Sequence, residues 1–171
     1  TAFDDSYGNS YAGISDTTSL SFTTADETNP SLSSSTPADN ATAVATTSNI
    51  VLNFSEAVDV ESGNIVIYKA SDDSVVETIN VTSGQVTGSG SSQITINPSG
   101  DFAIQTEFYV QIDATALDDK AGNSYAGISD KTSISFTTES AKKAQKEASW
   151  AYNNAIEKFY YAMLEVVFLR I

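Results

Sequence analysis

Residues 107–113 read EFYVQID, with Phe108, Val110 and Ile112 alternating with Glu107, Tyr109 and Gln111. Successive side chains on a strand point to opposite faces, so this run predicts a strand with one apolar and one wetted face. The same period of two recurs outward in both directions. Ile50, Leu52 and Phe54 share one face of 49–54, Ile65 and Ile67 one face of 64–69, and Ile94 and Ile96 one face of 93–97. Ile134 and Phe136 share a face of 133–137, and weaker runs at 31–35 and 75–81 complete the set. Turn chemistry separates them: Ser71-Asp72-Asp73-Ser74 reads as a tight turn, and 83–92 as a Gly/Ser-rich loop. About seven short strands divided by turn residues predict a two-sheet β-sandwich.

A repeat sets the boundaries. Residues 115–138 read TALDDKAGNSYAGISDKTSISFTT and residues 1–24 read TAFDDSYGNSYAGISDTTSLSFTT, with 19 of 24 positions identical at an offset of 114. Self-similarity at a fixed offset is the mark of a repeat architecture. The expected organisation is 1–24 as the C-terminal loop and strand of a preceding unit, 25–138 as a complete sandwich, and 139–171 as something else. Leu20 and Phe22 stand where Ile134 and Phe136 stand in the second copy. The opening Thr1-Ala2-Phe3-Asp4-Asp5 has neither the basic nor the apolar character of a signal peptide.

The composition breaks after Ser140. Residues 1–138 carry 18 acidic and 3 basic side chains, whereas 139–171 carry 4 acidic and 5 basic, and contain no Gly or Pro. Ala, Lys and Glu are plentiful from Ala141 to Leu169, which predicts one long helix. Tyr152, Ile156, Phe159, Met163 and Val166 recur at steps of four and three, and Ala155, Ala162 and Leu169 widen the stripe. Such a stripe needs cover, so helix 141–169 is expected to pack on another helix or subunit. A membrane span needs about 20 apolar residues. The apolar run here is shorter and holds Glu165, so a span is disfavoured.

PADNATAVATTSNIVLNFSEAV at 37–58, followed by TALDDKAGNSYAGISD at 115–130 and SISFTT at 133–138, resembles the bacterial Ig-like domains found in tandem in large surface proteins, adhesins and surface-layer-type proteins. Its motifs are Phe54-Ser55-Glu56 after the second strand and Asp119-Lys120-Ala121-Gly122-Asn123 before the last. The resemblance spans residues 30–138 and does not reach the helix. It implies an immunoglobulin-like β-sandwich of about seven strands, a spacer or adhesive role, and an extracellular or cell-surface location. It also implies neighbouring Ig-like repeats, or copies of the chain itself, as partners.

Chemistry is bounded by what is missing. The chain has no Cys and no His, which removes thiol nucleophiles, Ser-His-Asp arrangements and the usual zinc, copper and haem ligands. A net charge of −14 argues against nucleic acid and against anionic lipid. No catalytic constellation stands out, so the protein is not expected to be an enzyme. The oxygen ligands that remain suit calcium, the one cofactor considered. An Ig-like sandwich is expected to bring three acidic segments to one pole: Asp26 and Glu27, then Glu56, Asp59 and Glu61, then Asp118, Asp119 and Asn123. Two readings stand for them. One is an interdomain calcium site that stiffens an array, and the other a solvated acidic surface. Gly122, Asn123 and Gly127 also have a structural reading, as turn residues closing local hydrogen bonds and supplying positive φ.

The leading functional expectation is a structural spacer module of an extracellular bacterial protein, assembling through strand donation and helix packing. The alternative is a carbohydrate- or receptor-binding sandwich, for which Tyr11, Tyr68, Tyr109 and Tyr125 are the candidate aromatic platform.

Overall fold

The computed structural model describes residues 3–168, except the side chains of 143, 144 and 159–168. In chain order the elements are β1 (Leu32–Thr36), β2 (Ala41–Val44), β3 (Ile50–Val60), β4 (Asn64–Lys69), β5 (Val75–Asn80), β6 (Val86–Thr87), β7 (Ser91–Ile96), β8 (Glu107–Ile112), β9 (Leu117–Asp119), β10 (Ser135–Thr138) and α1 (Ala141–Phe168). Two five-stranded sheets form the sandwich. One runs β1-β3-β7-β6, with β9 also pairing β3, and the other runs β2-β10-β8-β4-β5.

The alternation read from the sequence sets the core. Ile50, Leu52, Phe54, Ile65, Ile67, Ile94, Ile96, Phe108, Val110, Ile112, Ile134 and Phe136 are all buried in one cluster between the sheets. Register follows from it, because a slip of one residue would turn each of these faces to water. Phe108 and Phe136 are directly paired across β8 and β10. Phe102 closes an aromatic triad with them, 4.9 Å from Phe108 and 5.2 Å from Phe136 between ring centroids.

The strand count is ten among the described residues, not about seven, and the differences have local causes. β3 runs on to Val60, past the expected end at Phe54. Glu56 keeps the parity of the buried Phe54 and Val58, and a charge at that parity reads as a strand end. The ladder to β7 also shifts register between Asn53 and Val58. β2 holds Ala43 at φ 56°, outside the strand region, and pairs with β10 in parallel. β6 has two residues and β9 three, too few to show a period.

Glu139 still belongs to the sandwich, its amide donating to the Val44 carbonyl and its carbonyl accepting the Gln105 amide, and after it α1 is one 28-residue helix. Among the described residues it packs against none of the strands, and Trp150, Tyr152 and Ile156 are exposed. No helix is long and apolar enough to cross a membrane among the described residues. Phe159, Ala162, Met163 and Val166 of the expected stripe have side chains outside the description, and Leu169 lies beyond it.

Phe108→Ala should destabilise the domain by about 3–5 kcal/mol in denaturant unfolding, as truncation of a large core side chain does. A loss under about 1 kcal/mol would contradict the burial of the triad.

Candidate functional site: an acidic cluster on the β3 edge

β3 is paired along both edges. β7 takes one, while the other is shared: β1 covers Val51–Phe54 and β9 covers Val58–Val60. Glu56 falls in the interval where one partner gives way to the next. The entry segment passes this interval, held by two hydrogen bonds, from the Ser55 amide to the Ser31 carbonyl and from the Ser31 amide to Ser55 Oγ, at 2.9 and 3.0 Å.

The segment after β9 is built by its own side chains. Asp119 Oδ1 accepts the backbone amides of Ala121 and Asn123, both at 2.8 Å, and Asp119 Oδ2 accepts Asn123 Nδ2 at 2.8 Å. The Asp119 amide closes the turn on the Asn123 carbonyl at 2.9 Å. Gly122 has φ 90°, the positive value this turn requires. The Asn123 side chain and the loop amides favour the charged carboxylate, and so hold Asp119 below its ordinary pKa. Asn123 Nδ2 also donates to the carbonyl of Asp26 at 3.2 Å, which ties the entry segment to the loop.

One oxygen from each of Asp26, Glu56 and Asp119 lies within 4.8 Å of the others. Asp119 is buried, Glu56 half-buried and Asp26 exposed. The meeting point thus lies beside β3, at the interval between its β1 and β9 partners. Glu56 lies within β3 and not in the loop expected after the second strand. Of the other candidate ligands, Asp59 and Asp118 face one another across the β3–β9 ladder outside this cluster. Asp59 Oδ1 accepts Ser89 Oγ at 3.2 Å, while Asp118 Oδ1 is buried without a hydrogen bond. Glu27 is exposed and outside the cluster, as is Glu61, whose amide bonds the Ala116 carbonyl at 3.0 Å.

The N-terminal copy acts as an internal control on this loop. Asp5 accepts the amides of Tyr7 and Asn9 at 2.9 Å and Asn9 Nδ2 at 2.8 Å, and Gly8 has φ 84°. The same turn therefore forms where no sandwich lies behind it. Asp119, Gly122 and Asn123 have a sufficient structural reason to be there. Gly127 has one as well, since at φ 74° a Cβ would collide with the Ile112 carbonyl oxygen.

The aromatic candidates divide. Tyr125 is buried with its ring edge-on to Phe54, at 5.1 Å. Tyr109 is buried beneath Tyr68, stacked at 4.9 Å, and its hydroxyl donates to Asp73, which also pairs with Lys131. Tyr11 is exposed, and Tyr68 is half-buried.

The sequence model of the bacterial Ig-like domain family matches residues 26–138. The chain belongs to that family. No curated protein matches the chain. The match to the bacterial Ig-like domain begins at Asp26 and ends at Thr138, so it contains all three clustered carboxylates and stops at the end of β10.

The loops predict a pH dependence. Asp130 sits low, at about 2, because the Ser133 and Thr132 hydroxyls and amides donate to it, and Asp119 is lowered by its own loop. Both folded-state values lie below the unfolded one, about 3.9. Their contribution is therefore complete above about pH 4 and is lost as pH falls through the folded values. Denaturant midpoints should fall between pH 6 and pH 3, and less steeply in Asp119→Ala with Asp130→Ala. An unchanged slope in that double variant would remove the two loops as the cause.

Proposed function

We propose that this bacterial Ig-like domain is a structural module of a protein displayed outside the bacterial cell, one of a tandem series that sets distance and stiffness. The observation that carries the reading is the duplicated segment: 24 residues that form the last loop and strand of this domain recur 114 positions earlier, one domain length away. The family supports it, and so does the acidic, Cys-free composition, which keeps an extended surface protein soluble without disulfides. Antibody against the domain should label intact cells of the source bacterium without permeabilisation, and the domain should give no hits on a glycan array. Labelling only after permeabilisation would defeat the surface reading, and a specific glycan hit would favour a binding module.

Calcium belongs to the same proposal. Calcium–oxygen distances of about 2.3–2.6 Å allow ligand atoms up to about 5 Å apart on one ion. The 4.8 Å cluster of Asp26, Glu56 and Asp119 fits that span and joins the entry segment to two strands. A cation there would stiffen the junction with whatever precedes Asp26. Millimolar calcium should raise the melting temperature, because it binds the folded form alone. Asp26→Asn with Glu56→Gln should abolish the rise while leaving the Asp119–Asn123 turn intact. A melting curve unmoved by calcium leaves the cluster as a solvated acidic edge.

A further inference from the structure

We propose that residues 1–24 are a transferable last strand. Their acceptor is an Ig-like sandwich body of this repeat type, equivalent to residues 25–114, whose slot between the counterparts of β2 and β8 is empty. This rests on the tandem-module reading and names the partner of one segment of it.

The resident segment shows what the slot demands. β10 pairs with β2 in parallel and with β8 antiparallel. Nine residues of 115–138 are buried in the sandwich: Ala116, Leu117, Asp119, Tyr125, Ile128, Ile134, Ser135, Phe136 and Thr138, of which Leu117 and Asp119 lie on β9 against β3 and the last four on or beside β10. Seven of the nine have the identical residue 114 positions earlier, and the other two, Phe3 for Leu117 and Leu20 for Ile134, stay apolar. Two of the identities are polar and serve only a body. Ser135 donates its amide and its hydroxyl to Asp39, and Thr138 Oγ1 donates to the Ala103 carbonyl at 2.6 Å. Ser21 and Thr24 keep those donors with no such acceptor beside them.

Among the described residues the N-terminal copy is not packed on a sandwich. Leu20 is 78% exposed and Phe22 88%, against 0% for Ile134 and 1% for Phe136. What the segment needs from its own residues is already formed: the Asp5–Asn9 turn, and the Asp16 carboxylate accepting from Thr18 and Ser19 as Asp130 accepts from Thr132 and Ser133. An apolar strand with its turns preformed loses less freedom on docking, and its backbone supplies the ladder on both sides.

The five differences say which body accepts it. Three fall at exposed positions, opposite Lys120, Ala121 and Lys131. Phe3 is larger than Leu117, which is fully buried, and Thr17 lacks the Lys131 ammonium that pairs with Asp73 at 2.6 Å. The resident segment therefore fits this body better, and it is also tethered to it through Ala114. Residues 1–24 do not displace it. They require a body with the slot open.

The test opens the slot in the full chain. Phe136→Asp puts an unpaired carboxylate against Phe102 and Phe108 and expels the resident strand. The variant is expected to remain folded by taking residues 1–24 of another copy. Light scattering should then show a mass above the parent's, and the melting temperature should rise with protein concentration. Adding Phe22→Asp should abolish both effects. The helix is common to all these chains and cancels from the comparison. Phe136→Ala guards against outright unfolding: a synthetic peptide of residues 1–24 should raise its melting temperature, and the same peptide with Phe22→Asp should not. A Phe22-dependent effect in either experiment upholds the proposal. If neither shows one, it is overturned, while cell-surface labelling stands or falls separately.

Discussion

Phe136 against Phe102 and Phe108 is the contact from which the rest of the sandwich follows. Phe102 and Phe108 come from one stretch leading into β8, and Phe136 comes from the last strand. Until it arrives, β2 and β8 have no common neighbour, because among the described residues β10 is the one strand that pairs with both. The second sheet is thus completed by its final residues, and its β2 edge is covered by a contact between positions almost a hundred residues apart. Non-local pairing of this kind is costly in chain entropy and must be repaid by burial. The aromatic triad supplies that burial at the point of closure.

The two copies of the 24-residue segment separate what a sequence encodes locally from what it encodes only in company. The Asp-x-x-x-Asn turns, the positive-φ glycines and the Asp-x-Thr-Ser hydrogen bonds are alike in both. Those features are satisfied within five residues, so they form with or without a sandwich. Leu20–Phe22 and Ile134–Phe136 differ completely, exposed coil in one copy and buried strand in the other. A strand has no internal hydrogen bonds, and its conformation is fixed by the neighbours that receive it.

The same distinction explains how much was legible. The alternation at 50–54, 65–67, 94–96, 108–112 and 134–136 placed the core, because burial on one face leaves a period in the sequence. β2, β6 and β9 left none, being short or carrying an irregular residue such as Ala43. The acidic candidates were legible as residue types but not as an arrangement. Asp119 and Glu56 meet only because β9 and β1 divide one edge of β3, and no periodicity reports which strands share an edge. Asp59 and Asp118 were drawn into the same set by their charge, yet the ladder turns them to face each other instead.

The parallel pairing of β2 with β10 also fixes how the module meets a pulling force. Tension that drew the start of β2 one way and the exit of β10 the other would run along these two strands. The evenly spaced, slanted rungs of a parallel pair drawn from opposite ends would be loaded together, where a hairpin pulled from its open end parts one rung at a time. The Phe136 ring would have to be dragged through the packed triad in the same motion. Resistance to extension would therefore be concentrated in four residues at the end of the domain, and the speed of forced opening would be set by that barrier more than by the overall stability of the fold.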